Sequence, residues 1–290
     1  MKKKILLTPD KAREFLAHNY SGNRKIAWNT VSAYAADISA DRWNPDISEF
    51  DQPIAFSAEG ELINGQHRCS AVILANKSVY TWIVTDVPLE LYQYMDCGKV
   101  RQASDFLPVP NSLSIAAFAK FVCAVEEGNT TLYQAVNGVL KFVPGKGKNY
   151  VRVTRTQIIQ KVEEQNDYLQ EIFALGQKAS KYFGNKKGPF ANAFYVINFV
   201  GKGALLQEFA EECSKIRPDS DLISNFRTFI TTRLLNKNFH ATPQWIMGCI
   251  FYTYDHFIED SKIGSFNKAD TYFEKYSALM NKERNKRKGE

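Results

Sequence analysis

The chain has 290 residues, 44% of them hydrophobic and 23% charged, the composition of a folded globular protein long enough for one large or two small domains. No apolar run approaches the ~18–20 residues of a membrane-spanning helix, and the opening Met1–Pro9 imitates a secretory leader only until its apolar part stops at Leu7, so the expectation is a cytoplasmic protein without a membrane partner. The net charge of +6 is uneven: residues 1–110 carry 12 Lys and Arg against 13 Asp and Glu, and residues 111–290 carry 25 against 18.

In chain order, Ile5 to Leu7 reads as a short strand. Thr8-Pro9-Asp10 reads as an N-cap with proline in the first turn, opening a helix that runs from Lys11 to His18. Asn29-Thr30 reads as the cap of a second helix, Val31 to Ala40, with Val31, Tyr34, Ala35 and Ile38 on one face. Pro53–Ser57 and Glu61–Ile63 flank Ala58-Glu59-Gly60, a hairpin with glycine at its turn. A helix from Gly65 to Asn76 follows, then a strand from Val79 to Val84 rich in β-formers. Pro88 to Met95 reads as a short helix stopped at Gly98.

Leu107-Pro108-Val109-Pro110 marks a boundary, so the expected domains are 1–107 and 108–290. The second is mainly helical: 114–127, 154–180, 189–200, 205–213, 222–235, 243–258 and 268–282 all show helical spacing. Thr154 to Phe173 is its best candidate for a DNA-binding helix pair, and a weak match. Lys282 to Lys288 carries five cations, which either grip DNA phosphates or form a solvated helix end. Cys69, Cys97, Cys123, Cys213 and Cys249 contain no Cys-x-x-Cys pair and read as reduced, buried thiols; His240 and His256 are too isolated for a metal site. The aromatic stretch Trp245 to Phe257 reads as core. No metal ligand set is assigned.

The sharpest chemistry lies in Leu62-Ile63-Asn64-Gly65-Gln66-His67-Arg68, a strand end, a glycine turn and a helix start. A helix N-terminus presents free N–H groups to anions. The helix dipole disfavours cations there, so His67 and Arg68 in that turn point to a ligand, phosphate first. Gly65 lets the backbone approach phosphates without a Cβ, or simply makes a turn. Arg68 clamps a phosphate in bidentate fashion, or is a solvated arginine or an ion-pair partner. His67 donates to a phosphate or shuttles a proton, or is structural. Gln66 bonds a phosphate or base, or orients a water.

These blocks, with Thr8-Pro9-Asp10-Lys11-Ala12, Asn23-Arg24, Arg42-Trp43, Pro53–Phe56 and Met95-Asp96-Cys97-Gly98-Lys99-x-Arg101, occur in an order that resembles the ParB/sulfiredoxin superfamily over residues 4–107. The box looks closest to that of ParB-like proteins of bacteriophages and mobile elements with an Asp/Asn-Gly-Gln-His-Arg motif. The resemblance implies an α+β fold, a small mixed domain followed by the helical one. It also implies a nucleoside tri- or diphosphate, with magnesium, held by Asn64, Gly65, Gln66, His67 and Arg68. Arg101 then adds a second phosphate contact, and Asp96 holds Arg68, Arg101 or a magnesium ion. Asn23 and Arg24 contact nucleotide or DNA phosphates. Gln66 stands where sulfiredoxins carry the catalytic cysteine, and Asn64 where the serine-kinase branch carries an aspartate. His67 and Asp96 remain the catalytic candidates, while Asp37, Glu49 and Asp51 are acids that nothing in the sequence selects.

Three functions fit these observations. The first is a nucleotide-binding protein, with NTPase or phosphotransferase activity an open possibility, in phage DNA metabolism or host takeover. The second is a DNA-binding protein, with or without nuclease action, using its basic C-terminal part. The third is a phage protein that sequesters a host component. A homodimer is compatible with each.

Overall fold

The computed structural model describes residues 1–23, 25–46, 49, 53–89, 102–128, 130–142, 150–263 and 265–289. In chain order the elements are β1 (Lys2–Leu7), α1 (Pro9–Ala17), α2 (Trp28–Ser39), β2 (Ile54–Ser57), β3 (Leu62–Asn64), α3 (Gln66–Ala75) and β4 (Val79–Val87). Then follow α4 (Ser112–Glu127), α5 (Leu132–Val136), β5 (Val139–Phe142), β6 (Tyr150–Arg152), α6 (Arg155–Ala179), α7 (Lys187–Phe199), α8 (Leu206–Ser214), α9 (Asp221–Leu235), α10 (Pro243–Ile258) and α11 (Ala269–Lys288). The fold is α+β and separates into two compact units: Met1–Arg101 with Phe142–Thr156, and Gln102–Lys141 with Gln157–Glu290. No helix among the described residues is long and apolar enough to cross a membrane.

The first unit is built on a four-stranded mixed sheet in the order β1-β4-β2-β3. β1 runs antiparallel to β4, with Leu7 opposite Val79, β2 runs parallel to β4, and β3 returns antiparallel to β2. The turn of this hairpin carries Gly60 at φ +84°. Helices α1, α2 and α3 bury Ala12, Val31, Ile38, Cys69 and Val72 with Leu7, Ile54 and Leu62 of the sheet. α1 starts as its sequence dictates, with Thr8 Oγ1 accepting from Lys11 N at 3.2 Å and Pro9 in the first turn. α2 starts earlier than the Asn29-Thr30 reading: Ala27, extended at φ −90° and ψ 97°, is its N-cap, and Asn29 and Thr30 lie inside the helix.

The strand β6 packs on α2. Thr154 Oγ1 donates to Asp37 Oδ1 at 2.9 Å, and Arg42 Nε donates to the same oxygen at 3.1 Å. Burial pushes the Asp37 carboxyl above the usual range, against the lowering effect of these two donors.

In the second unit the helices α4 and α6 to α11 enclose an aromatic-rich core that includes Phe118, Phe194, Phe209, Phe251 and Tyr254. Thr154 to Phe173 does not form a helix–turn–helix pair. After Thr154, α6 is two helical stretches that meet at a kink, with the single non-helical residue Gln165 (φ −134°, ψ 24°) between them. α10 and α11 approach closely because Gly248 has no side chain: a Cβ there would stand 2.1 Å from Ala269 O. Across that contact the Phe251 and Tyr276 rings stack at 4.1 Å.

Four charged residues are buried among the described residues of this unit, Lys161, Glu212, Asp255 and Arg284, the last two most deeply. Asp255, on α10, accepts from Lys202 Nζ (2.8 Å), Lys275 Nζ (2.6 Å) and Tyr276 Oη (2.7 Å). Arg284, in the basic C-terminal stretch, donates to Val125 O at 2.7 Å and Thr130 O at 2.9 Å, which caps the end of α4. Arg287 lies over the Phe199 ring at 4.1 Å and pairs with Glu283 at 3.1 Å. Two of the five tail cations are therefore engaged by the unit itself.

Burial raises the Asp255 carboxyl, but the three donors outweigh it and hold the group below its ordinary value. Its stabilisation is present above the unfolded-state value near 3.8 and is lost as pH falls through the lower folded-state value. Asp255→Asn leaves two ammonium groups without their anion and is expected to cost about 3–5 kcal/mol, read as a lower urea midpoint at neutral pH. The wild-type advantage over this variant shrinks below pH ~4.

Candidate functional site

The box is laid out along one sharp strand-to-helix passage. Asn64 ends β3, Gly65 is the N-cap of α3 in the left-handed region (φ 112°, ψ 2°), and Gln66, His67 and Arg68 form the first turn. Gly65 is required twice over. Its φ is strained for any L side chain, and a Cβ would stand 2.8 Å from Ile54 Cγ1 in the core. The first turn holds no acidic residue and the helix has no side-chain cap. The partial positive charge of this N-terminus is thus not offset from within the helix.

Two segments close around the passage. On one side Asn64 Nδ2 and Arg68 Nη2 both point to the carbonyl of Pro53, at 3.4 and 3.2 Å, where the chain enters β2. On the other side lies the connection from α1 to α2. Leu62 N donates to His18 O at 2.7 Å, and Asn23 Nδ2 donates to Leu62 O at 2.7 Å and to Asn19 Oδ1 at 2.9 Å. Asn19 Nδ2 in turn reaches Gln66 Oε1 at 3.4 Å.

His67 has a definite structural task. Its Nε2 accepts the backbone N–H of Ala27 at 2.9 Å, and Ala27 is the N-cap of α2. Nε2 therefore carries no proton in this arrangement and the neutral ring bears it on Nδ1. The imidazole, 7% exposed, joins the start of α3 to the start of α2. Gln66 is buried beside it, while Asn64 and Arg68 are half-buried.

Asn23, Asn64, Gly65, Gln66, His67 and Arg68 are thus brought together by β3, α3 and the loop after α1. Arg24, Asp96 and Arg101, like Cys97 and Gly98, lie outside the described residues. Asp37 is held by Thr154 and Arg42 in a structural contact, away from a role as a free acid or base. Asn19, Ala27 and Pro53 complete the surround; Asn19 and Ala27 were not singled out by sequence, and Pro53 only as part of the strand block Pro53–Phe56. Ala27 and Pro53 act through main-chain atoms, which leave no mark on residue type; Asn19 could have been noticed as a second amide next to the turn.

Cys69, one turn into α3, is fully buried, and burial pushes its thiol up to about 12 against the nearby Arg68 charge. It is a core residue rather than a nucleophile. Cys123, Cys213 and Cys249 are also buried and unbridged. Among the described residues no group of three or more His, Cys, Asp or Glu side chains converges as a metal site.

Gly65→Ala is expected to destabilise the first unit by at least about 1–2 kcal/mol from the left-handed backbone alone, seen as a lower melting temperature. His67→Ala removes the acceptor of a half-buried N–H, at about 1–3 kcal/mol. Hydrogen exchange at the Ala27 amide should accelerate in that variant, and an unchanged rate would show that this bond does not hold in solution. No family model matches the chain, and no curated protein or solved structure matches it.

Proposed function

We propose that the first unit binds the phosphates of a nucleoside tri- or diphosphate at the N-terminus of α3, as the resemblance to ParB-like proteins suggests. The observation that carries this reading is the left-handed Gly65 at the head of a helix with no acid in its first turn, with Arg68 in that same turn. A glycine is needed there for the fold. A guanidinium in the adjoining turn stands against the helix dipole, and an anionic ligand would offset its charge. Arg68 is half-buried beside Asn64 over the Pro53 carbonyl. It supplies charge and the planar fork that suits a phosphate.

His67 acts in this reading as a positioning residue. Its Nε2 is engaged by Ala27, so it holds the loop after α1 against the box. Asn23 and Gln66 continue that contact as amides that offer both donors and acceptors to a ligand. Binding, not hydrolysis or phosphate transfer, is what this geometry supports. A magnesium ion would accompany the phosphates as part of the ligand.

The test is thermal unfolding of the wild type and Arg68→Ala against ATP, ADP, CTP and GTP with magnesium. Tryptophan fluorescence suits it, because Trp28, Trp43 and Trp82 lie in the first unit. A ligand at 100 times its dissociation constant adds about 2.7 kcal/mol to the folded state. The expected result is an upward shift for one nucleotide in the wild type and none in Arg68→Ala. No shift for any nucleotide overturns the proposal.

A further inference from the structure

The second unit holds a cavity of about 950 Å³ between α8, the start of α9 and the end of α10. That volume is in the range of small-molecule sites. Leu205, Leu222, Phe257, Ile258 and Ile263 form its apolar wall. His256 and Ser261 also line it, and they touch: His256 Nδ1 and Ser261 Oγ are 2.5 Å apart.

The contact depends on how α10 ends. Residues three or four apart are neighbours on a helix and residues five apart are not, so the chain must fold back for these two to meet. Asp260 does this in the left-handed region (φ 49°), uncommon for a residue other than glycine. Ser261 N then donates to His256 O at 3.0 Å, and Asp260 N to Phe257 O at 3.4 Å. The backbone alone closes the helix end, so the side-chain contact is additional to the cap. Tyr252, buried one turn earlier, stands edge-on to the imidazole at 4.7 Å and 87° and holds its plane. His256 and Ser261 are both half-buried, so a molecule in the cavity reaches them.

We infer that Ser261 and His256 form a nucleophile–base pair that hydrolyses a neutral carboxylic ester whose acyl chain lies on the apolar wall. With the ring proton on Nε2, Nδ1 accepts the Ser261 hydroxyl hydrogen. As Oγ bonds to the carbonyl carbon, its proton passes to Nδ1 and the carbonyl π pair moves onto the oxygen. Asn225 and Lys262 supply hydrogen-bond donors to the cavity for that negative oxygen. The oxygen's pair then re-forms the carbonyl, the bond to the alcohol oxygen breaks, and Nδ1 returns its proton to the departing alcohol. Water attacks the acyl-serine in the same way, gives its proton through Nδ1 to Oγ, and releases the acid. Glu208 and Asp221 line the same cavity without an ion pair among the described residues, and their charge disfavours anionic esters. The inference is independent of nucleotide binding by the first unit and is read by a different assay.

The experiment treats the full chain with a fluorophosphonate probe, which a base-activated serine captures with loss of fluoride, and maps the adduct by peptide mass spectrometry. Hydrolysis of p-nitrophenyl butyrate is followed alongside. The expected result is an adduct on Ser261 and turnover above the buffer rate, both lost in Ser261→Ala. His256→Asn places an amide where Nδ1 stands, so it keeps a partner for the Ser261 hydroxyl but removes the base. Turnover there should fall about 10²–10⁴-fold, with the circular dichroism spectrum unchanged. If His256→Asn unfolds, Ser261→Ala decides alone, and retention of either label or turnover overturns the inference. No adduct in the wild type, an adduct only on another residue, or full labelling and turnover in a folded His256→Asn also overturns it.

Discussion

One residue decides how the first unit is organised. At Gly65 the chain leaves β3 and enters α3 with a single left-handed residue between them. The space on the core side is closed by Ile54, so the turn cannot be widened to admit a side chain. Two consequences follow from that tightness. The polar residues after the turn are carried at once into the first helical turn, and the carbonyl of Pro53 at the start of the neighbouring strand comes within reach of Asn64 and Arg68. A looser connection would scatter these groups over a loop, where ordering each backbone residue costs about 1–2 kcal/mol.

The second constraint is the distribution of buried charge. In the helical unit Asp255 is surrounded by two lysines and a tyrosine, and Arg284 by main-chain carbonyls at the end of α4. Asp255 is satisfied by partners from distant positions in sequence, the arrangement that makes removal of one partner costly, whereas Arg284 is held by Nε and Nη1 while its Nη2 has no partner among the described residues. The same economy explains the tail. Its composition is that of a solvated basic segment, yet α11 runs on to Lys288 because Arg284 and Arg287 anchor it to α4 and to Phe199. Charge counted along a sequence therefore overstates what a partner can meet.

What was legible in the sequence was what local chemistry determines. Thr8-Pro9 gave the start of α1, Gly60 the hairpin, and Gly65 and Asn76 the two ends of α3, since cap and turn geometry depends on the residue at the turn. The start of α2 was misread because the rule looks for a side-chain cap, whereas Ala27 caps without one and passes its own N–H to His67, forty residues on. The short α5 escaped notice although Thr131 and Gln134 form a capping box. The segment 150–156 was assigned by position to the helical part. Its place beside α2 depends on Thr154 meeting Asp37, a pairing across 117 residues that no periodicity records.

The position of His67 bears on what a ligand at the box would meet. A histidine beside phosphates is easily cast as a proton carrier, and its residue type invites that reading. In the structure one ring nitrogen already accepts an N–H from the cap of α2, and adding a proton to that nitrogen would turn an attraction into a donor–donor clash. Negative charge arriving nearby favours the charged imidazolium, so a phosphate and the Ala27 N–H would compete over the state of one ring. If the ring stays neutral, the loop after α1 stays attached through His67, and the positive charge in the described part of the box comes from Arg68 and the helix N-terminus. In this chain the adjacent residues of the Gly-Gln-His-Arg order differ in their contacts: His67 accepts the Ala27 N–H and ties the loop after α1 to α3, while Arg68 donates to the Pro53 carbonyl.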